Sequence, residues 1–174
     1  MTPPPAGRTV AVIGSGTDEH DDLAREVGTL LASLGVNLLT GGGRGVMTSV
    51  SRAFTRAPRT RGICIGIIPC RDERQRAVPK EGYPNPFVEL AIFTHLPYSG
   101  ERGEDDLSRN HINILSSAAI IALPGALGTS SEISLALRYG KPIIAFGAEA
   151  PPNVPRARSI EAVGQFLHEH LARI

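Results

Sequence analysis

The chain gathers its most reactive groups into one loop, Pro124-Gly125-Ala126-Leu127-Gly128-Thr129-Ser130-Ser131-Glu132. Glycine lets backbone come close to a phosphate, the three hydroxyls are donors, and Glu132 sets a carboxylate beside them. Upstream, Ala118 to Leu123 is a continuous apolar run suited to a strand buried on both faces. Downstream, Ile133, Leu135, Ala136, Leu137 and Tyr139 recur at roughly helical spacing until Gly140-Lys141-Pro142 stops the pattern. The loop therefore opens a helix, whose unpaired first N–H groups and dipole favour an anion. An ordinary strand-to-helix turn fits the same residues, with Thr or Ser as N-cap and Glu132 as an acid serving the dipole.

Two more glycine turns follow strands. Thr9 to Ile13 reads as a β-branched strand running into Gly14-Ser15-Gly16, and Val36 to Thr40 as a strand ending in Gly41-Gly42-Gly43-Arg44-Gly45. Helical periods over about Asp21 to Leu34 and Val46 to Arg56 come after them. Further strands are expected over about Gly62 to Ile68, Val88 to Leu96 and Pro142 to Phe146, and helices over about Glu104 to Ser117, from Thr129, and from Ser159 to Ala172. The polar stretch Arg71 to Pro86 reads as a loop, either selecting the non-phosphate part of a ligand or making a subunit contact. The alternation implies an α/β protein: a single Rossmann-like doubly wound domain over 9–174 after a flexible tail over 1–8. Its mainly parallel sheet carries helices on both faces. Ligands of such sheets bind beyond the carboxyl ends of the strands, near a reversal of strand order, so all three glycine turns converge on one edge.

Composition narrows the chemistry. With 41% hydrophobic residues and a net charge of +1, bulk electrostatics recruit neither nucleic acid nor membrane. Cys64 and Cys70 fit buried free thiols in a reducing compartment, and Met1-Thr2-Pro3-Pro4-Pro5 is no signal peptide, which together give a cytoplasmic expectation. The five histidines offer no metal-ligand pattern. Gly14-Ser15-Gly16 is followed by Asp18 and Glu19, which oppose a dinucleotide pyrophosphate, and the Gly41 loop lacks the Gly-Lys-Ser/Thr ending of a Walker loop.

In order along the chain, Gly14-Ser15-Gly16, Gly41 to Met47, Arg109-Asn110 and Pro124 to Glu132 resemble a superfamily. It holds the Lonely Guy phosphoribohydrolases and the molybdenum cofactor carrier proteins. The resemblance covers about Val10 to Phe146. The phosphoribohydrolase signature Pro-Gly-Gly-x-Gly-Thr-x-x-Glu is matched except that Ala126 replaces its second glycine, and Arg109 stands at the separation of the arginine preceding that motif. Ser131 stands where many of those enzymes have glutamate, Asn110 where lysine often follows the arginine, and the Gly41 loop is one residue shorter. The short loop, the Arg-Asn pair and the chain length look more similar to the carrier-like branch.

That branch implies a homo-oligomer, dimer or tetramer, that binds a phosphorylated nucleotide-like or pterin ligand without hydrolysing it. The ligand would be molybdenum cofactor or a nucleoside monophosphate. The phosphate would sit over Gly125 to Ser130, with Arg109 as its charge partner and Arg44 as a second contact. The full set of ligand-binding positions is Gly14, Ser15, Gly42, Gly43, Arg44, Gly45, Val46, Met47, Asn110 and Pro124, Gly125, Ala126, Leu127, Gly128, Thr129, Ser130. The enzyme alternative cleaves nucleoside 5′-monophosphates to base and ribose 5-phosphate, with no cofactor required. Glu132 would then be the catalytic acid and Arg109 its cationic partner. A surface ion pair of Arg109 with Asp105 or Asp106 competes with either role, and the methyl group of Ala126 requires a negative φ at that residue.

Overall fold

The structure, a computed structural model, describes residues 8–59 and 61–172. The tail expected over 1–8 lies outside them except for Arg8, whose carbonyl accepts the N–H of Asn37 at 2.7 Å. Among the described residues seven strands form one parallel sheet: β1 (Thr9–Ile13), β2 (Asn37–Thr40), β3 (Cys64–Ile68), β4 (Leu90–Phe93), β5 (Ala119–Ala122), β6 (Ile143–Phe146) and β7 (Arg156–Ala157). Their order is β4-β3-β2-β1-β5-β6-β7. Five helices connect and flank them: α1 (Asp21–Leu34), α2 (Val46–Arg56), α3 (Asn110–Leu115), α4 (Leu127–Arg138) and α5 (Ile160–Leu171).

Successive side chains of a strand leave on opposite faces, so each central strand feeds two cores. Val10, Val12, Leu38, Ile121 and Leu123 pack with α1, α2 and α5. Ala11, Ile13, Leu39, Ile120 and Ala122 pack with α3 and α4. This is why Ala119–Ala122 reads as an unbroken apolar run: all four residues are buried. Gly35, at φ 66, ends α1 with its N–H on Ala32 O at 3.1 Å.

Three expected elements change. The helix expected over Glu104 to Ser117 is reduced to the six residues of α3, preceded by turns and a 3₁₀ turn at Gly100–Arg102. Local polar pairing holds the chain out of helix there: Ser108 N–H donates to Asp105 O, Ser108 Oγ accepts the N–H of Asn110, and Arg102 pairs with Asp105. Gly103 packs so closely on Ser131 and Asn110 that a side chain would collide with both. The strand expected from Val88 to Leu96 shortens to β4, because Val88 N–H closes a turn on Asn85 O before it and Leu96 N–H closes one on Thr94 Oγ1 after it. β7, between the strand expected to end at Phe146 and the helix expected from Ser159, adds two residues to the sheet edge beside β6.

A cleft at the switch point of the sheet

β1 and β5 are neighbours in the sheet, yet the chain after β1 enters α1 on one face and the chain after β5 enters α4 on the other. Loops that part in this way open a crevice at the strand ends. Ser15 ties the three glycine turns together there. Its N–H donates to Pro124 O and its carbonyl accepts the N–H of Val46, both at 2.9 Å. Its Oγ accepts the N–H of Asp18 at 2.9 Å and of Thr17 at 3.2 Å. Ser15, expected as a ligand contact, thus spends its polar groups on the turn itself.

The Gly41 to Gly45 loop is also internally satisfied. Gly42 N–H donates to Thr40 Oγ1 and Gly43 N–H to the Met47 sulfur, while Gly43 O accepts from Thr48 Oγ1 and Asn85 Nδ2. Gly45, at φ 61, lies against the backbone of Ser15 to Thr17, where a side chain has no room. These glycines allow close backbone approach, and the N–H groups of Gly42, Gly43 and Val46 are committed inside the protein.

What lines the resulting cleft, of about 130 Å³, is a different subset. Its lining joins the backbone of Gly14, Gly16 and Gly41 with Ser99, Gly100, Arg109, Asn110, Gly128 and Glu132, and with Met47 and Tyr83, which both lie against Gly43. Arg109 is only 3% exposed. Its Nε and Nη1 have no hydrogen-bond partner, and it makes no ion pair among the described residues. Asp105, offered above as its surface partner, is taken by Arg102 instead. Two buried N–H donors left unpartnered are costly, and a bound anion would satisfy them.

The N-terminus of α4 is equally unsatisfied. Its N-cap is Ala126, at φ −106, with no side-chain cap. The negative φ is the condition under which alanine can replace glycine in the motif. Thr129 is not the N-cap: it lies in the first turn, 5% exposed, with Oγ1 unpartnered beneath Gly125. Ser130 Oγ turns back to Ala126 O and Ser131 Oγ to Gly128 O. Glu132 lies past the first turn, so it does not serve the dipole in the way the ordinary-turn reading requires. Asn113 Nδ2 donates to Glu132 Oε1 at 3.4 Å. Burial pushes the Glu132 carboxyl above the usual range, opposed by the charge of Arg109 and the bond from Asn113.

The expected contacts therefore divide. Gly14, Met47, Asn110, Gly128, Arg109 and Glu132 meet in the cleft. Val46 packs beneath Gly14. Ala126, Leu127 and Ser130 are exposed, and Arg44 is exposed with its guanidinium against the backbone of Gly82. Gly16, Gly41, Ser99, Gly100 and Asn113 join the site from beyond the expected contact set, and Tyr83 comes from the Arg71 to Pro86 loop, for which a ligand contact or a subunit contact was expected. Asn113 was findable, since it follows Arg109 by four residues, the spacing of one helix face. No sequence signal brought Ser99 to this edge. Among the described residues no group of three or more His, Cys, Asp or Glu is placed to hold a metal ion, and no helix is long and apolar enough to cross a membrane.

Fold and cleft together define a Rossmann-like α/β protein with a polar crevice at its switch point. The chain belongs to the SLOG cluster4 family, whose model matches residues 7–170. An uncharacterized protein of Archaeoglobus fulgidus is 31% identical over 134 residues, covering 76% of this chain and 75% of that one. Among solved structures, the molybdenum cofactor binding protein of the phototrophic bacterium Rippkaea orientalis is similar at a TM-score of 0.73 and 30% identity, over 94% of this chain and 96% of that one. The molybdenum cofactor carrier protein of Chlamydomonas reinhardtii is similar at 0.70 and 27%, over 94% and 99%.

Proposed function

We propose that this protein is a carrier that holds a phosphorylated pterin of the molybdenum cofactor type, or a nucleotide-like relative of it, by its phosphate. The observation that carries the reading is Arg109: a buried guanidinium with two unpartnered nitrogens, aimed into a cleft beside the uncapped start of α4. Arg109 and the buried Thr129 hydroxyl are the two side-chain donors for the phosphate, and the first N–H groups of α4 complete the set. Sites that enclose a whole small ligand measure roughly 300–1,000 Å³. A cleft of about 130 Å³ fits the phosphate end and leaves the rest of the ligand at the mouth, which suits a protein that passes its cargo on. The likeness to cofactor carriers over nearly the whole chain supports the same ligand class.

A second reading is favoured by one observation. The Glu132 carboxyl lies in the same cleft, near Arg109, and burial raises its pKa. A carboxyl shifted in that direction is better suited to give a proton to a departing base, as phosphoribohydrolase chemistry needs. One experiment separates the two. The protein is loaded with molybdenum cofactor released from a molybdoenzyme and, separately, incubated with a panel of nucleoside 5′-monophosphates. Retained molybdenum is counted after gel filtration, and free base and ribose 5-phosphate are followed by mass spectrometry. Retention without base release supports the carrier. Catalytic release that disappears in Glu132→Gln replaces it with the hydrolase.

A further inference from the structure

We infer that Tyr83 is the platform on which a planar heterocycle of the ligand stacks, so that the site selects a phosphorylated ring system over a sugar phosphate alone. The inference rests on the phosphate reading above and adds what recognises the other end.

Tyr83 is the one aromatic side chain among the residues lining the cleft. Its ring lies directly on Gly43, where any side chain would strike the ring edge and hydroxyl. Gly43 thus seats an aromatic ring, a role distinct from that of a phosphate donor, and its N–H is already given to Met47. The segment carrying Tyr83 is pinned to the glycine loop. Buried Asn85 gives its N–H to Gly42 O at 2.7 Å and its Nδ2 to Gly43 O at 3.0 Å. Tyr83 N–H donates to Lys80 O, and Lys80 N–H in turn reaches Pro69 O, tying the segment to the end of β3. Gly82, at φ 81, lets the Arg44 guanidinium lie against the segment.

The segment is therefore fixed, and the ring lines the cleft half-buried against Gly43, with no other ring and no hydrogen-bond partner for its hydroxyl among the described residues. A pre-positioned aromatic face loses little entropy on binding and accepts any flat π system. The polarizable Met47 thioether shares this flank of the cleft.

The test compares guanosine 5′-monophosphate with ribose 5-phosphate by calorimetry on the wild type, Tyr83→Ala and Tyr83→Phe. The wild type should bind the nucleotide more tightly than the sugar phosphate. Tyr83→Ala should weaken the nucleotide by about tenfold or more, the range of one base-aromatic stack, and leave ribose 5-phosphate unchanged, while Tyr83→Phe keeps both affinities. The chain has no tryptophan, so Tyr83→Trp adds a single reporter that guanosine 5′-monophosphate should quench and ribose 5-phosphate should not. Equal wild-type affinity for the two ligands, or equal loss of both in Tyr83→Ala, overturns the platform and spares the phosphate site. If the wild type binds neither, the phosphate reading falls and the platform with it.

Discussion

The guanidinium of Arg109 occupies the space that a side chain on Gly41 would fill. Gly41 ends the run after β2, and Arg109 stands at the start of α3, far along the chain. The missing Cβ at one position is what lets the charge at the other lie over the strand ends, at the switch point between β1 and β5.

Gly41→Ala should therefore displace Arg109 without breaking the sheet. Overpacking of this kind costs about 1–3 kcal/mol. Denaturant unfolding should show a loss of that order, and guanosine 5′-monophosphate binding should drop with it. A variant as stable as the wild type, with unchanged affinity, would show that the two residues do not constrain each other.

Thr129 separates binding from folding in the opposite sense. Its hydroxyl is buried without a partner, so Thr129→Val removes an unsatisfied group and should leave stability equal or slightly raised. Loss of a hydrogen bond to a charged phosphate, worth about 1.5–3 kcal/mol, should weaken phosphate binding tenfold or more. Unchanged affinity would remove Thr129 from the site.

Glu132 imposes a pH dependence whose sign follows from burial. Its folded pKa lies above the ordinary carboxylate value, so its neutral form is the one the fold prefers. That preference stabilises fully below the unfolded pKa and is lost as pH rises through the folded pKa. Glu132→Gln should accordingly be more stable than the wild type at neutral pH, with the difference vanishing below about pH 4, where the ordinary carboxyl is protonated in both states. Urea midpoints across that range check it; a gap that widens as pH falls would contradict the assignment.

Periodicity made most of the architecture legible. The strand Thr9–Ile13 and the helices Asp21–Leu34 and Val46–Arg56 stand where the spacing puts them, because both cores take alternate residues from the same strands. The convergence of glycine turns followed from topology alone. What was hidden is tertiary. Ser15 looks like a ligand donor until Pro124 and Val46 claim its backbone. Arg44 looks like a second cation for the phosphate until the fold turns it toward Gly82. The turns that replace the first part of the helix expected from Glu104 are held by Ser108 on Asp105 and by the Arg102–Asp105 pair, and Gly103 beside them packs on Ser131, a contact no local pattern encodes.

The most direct measurement is a calorimetric titration of guanosine 5′-monophosphate into the wild type and Arg109→Met, with the melting temperature recorded on the same samples. Methionine keeps bulk and removes the charge. Affinity should fall by about tenfold to a hundredfold, while the ligand-free variant melts at or above the wild type, because two buried unpartnered donors have been taken away. Equal affinity in the two proteins would mean that Arg109 does not hold the phosphate.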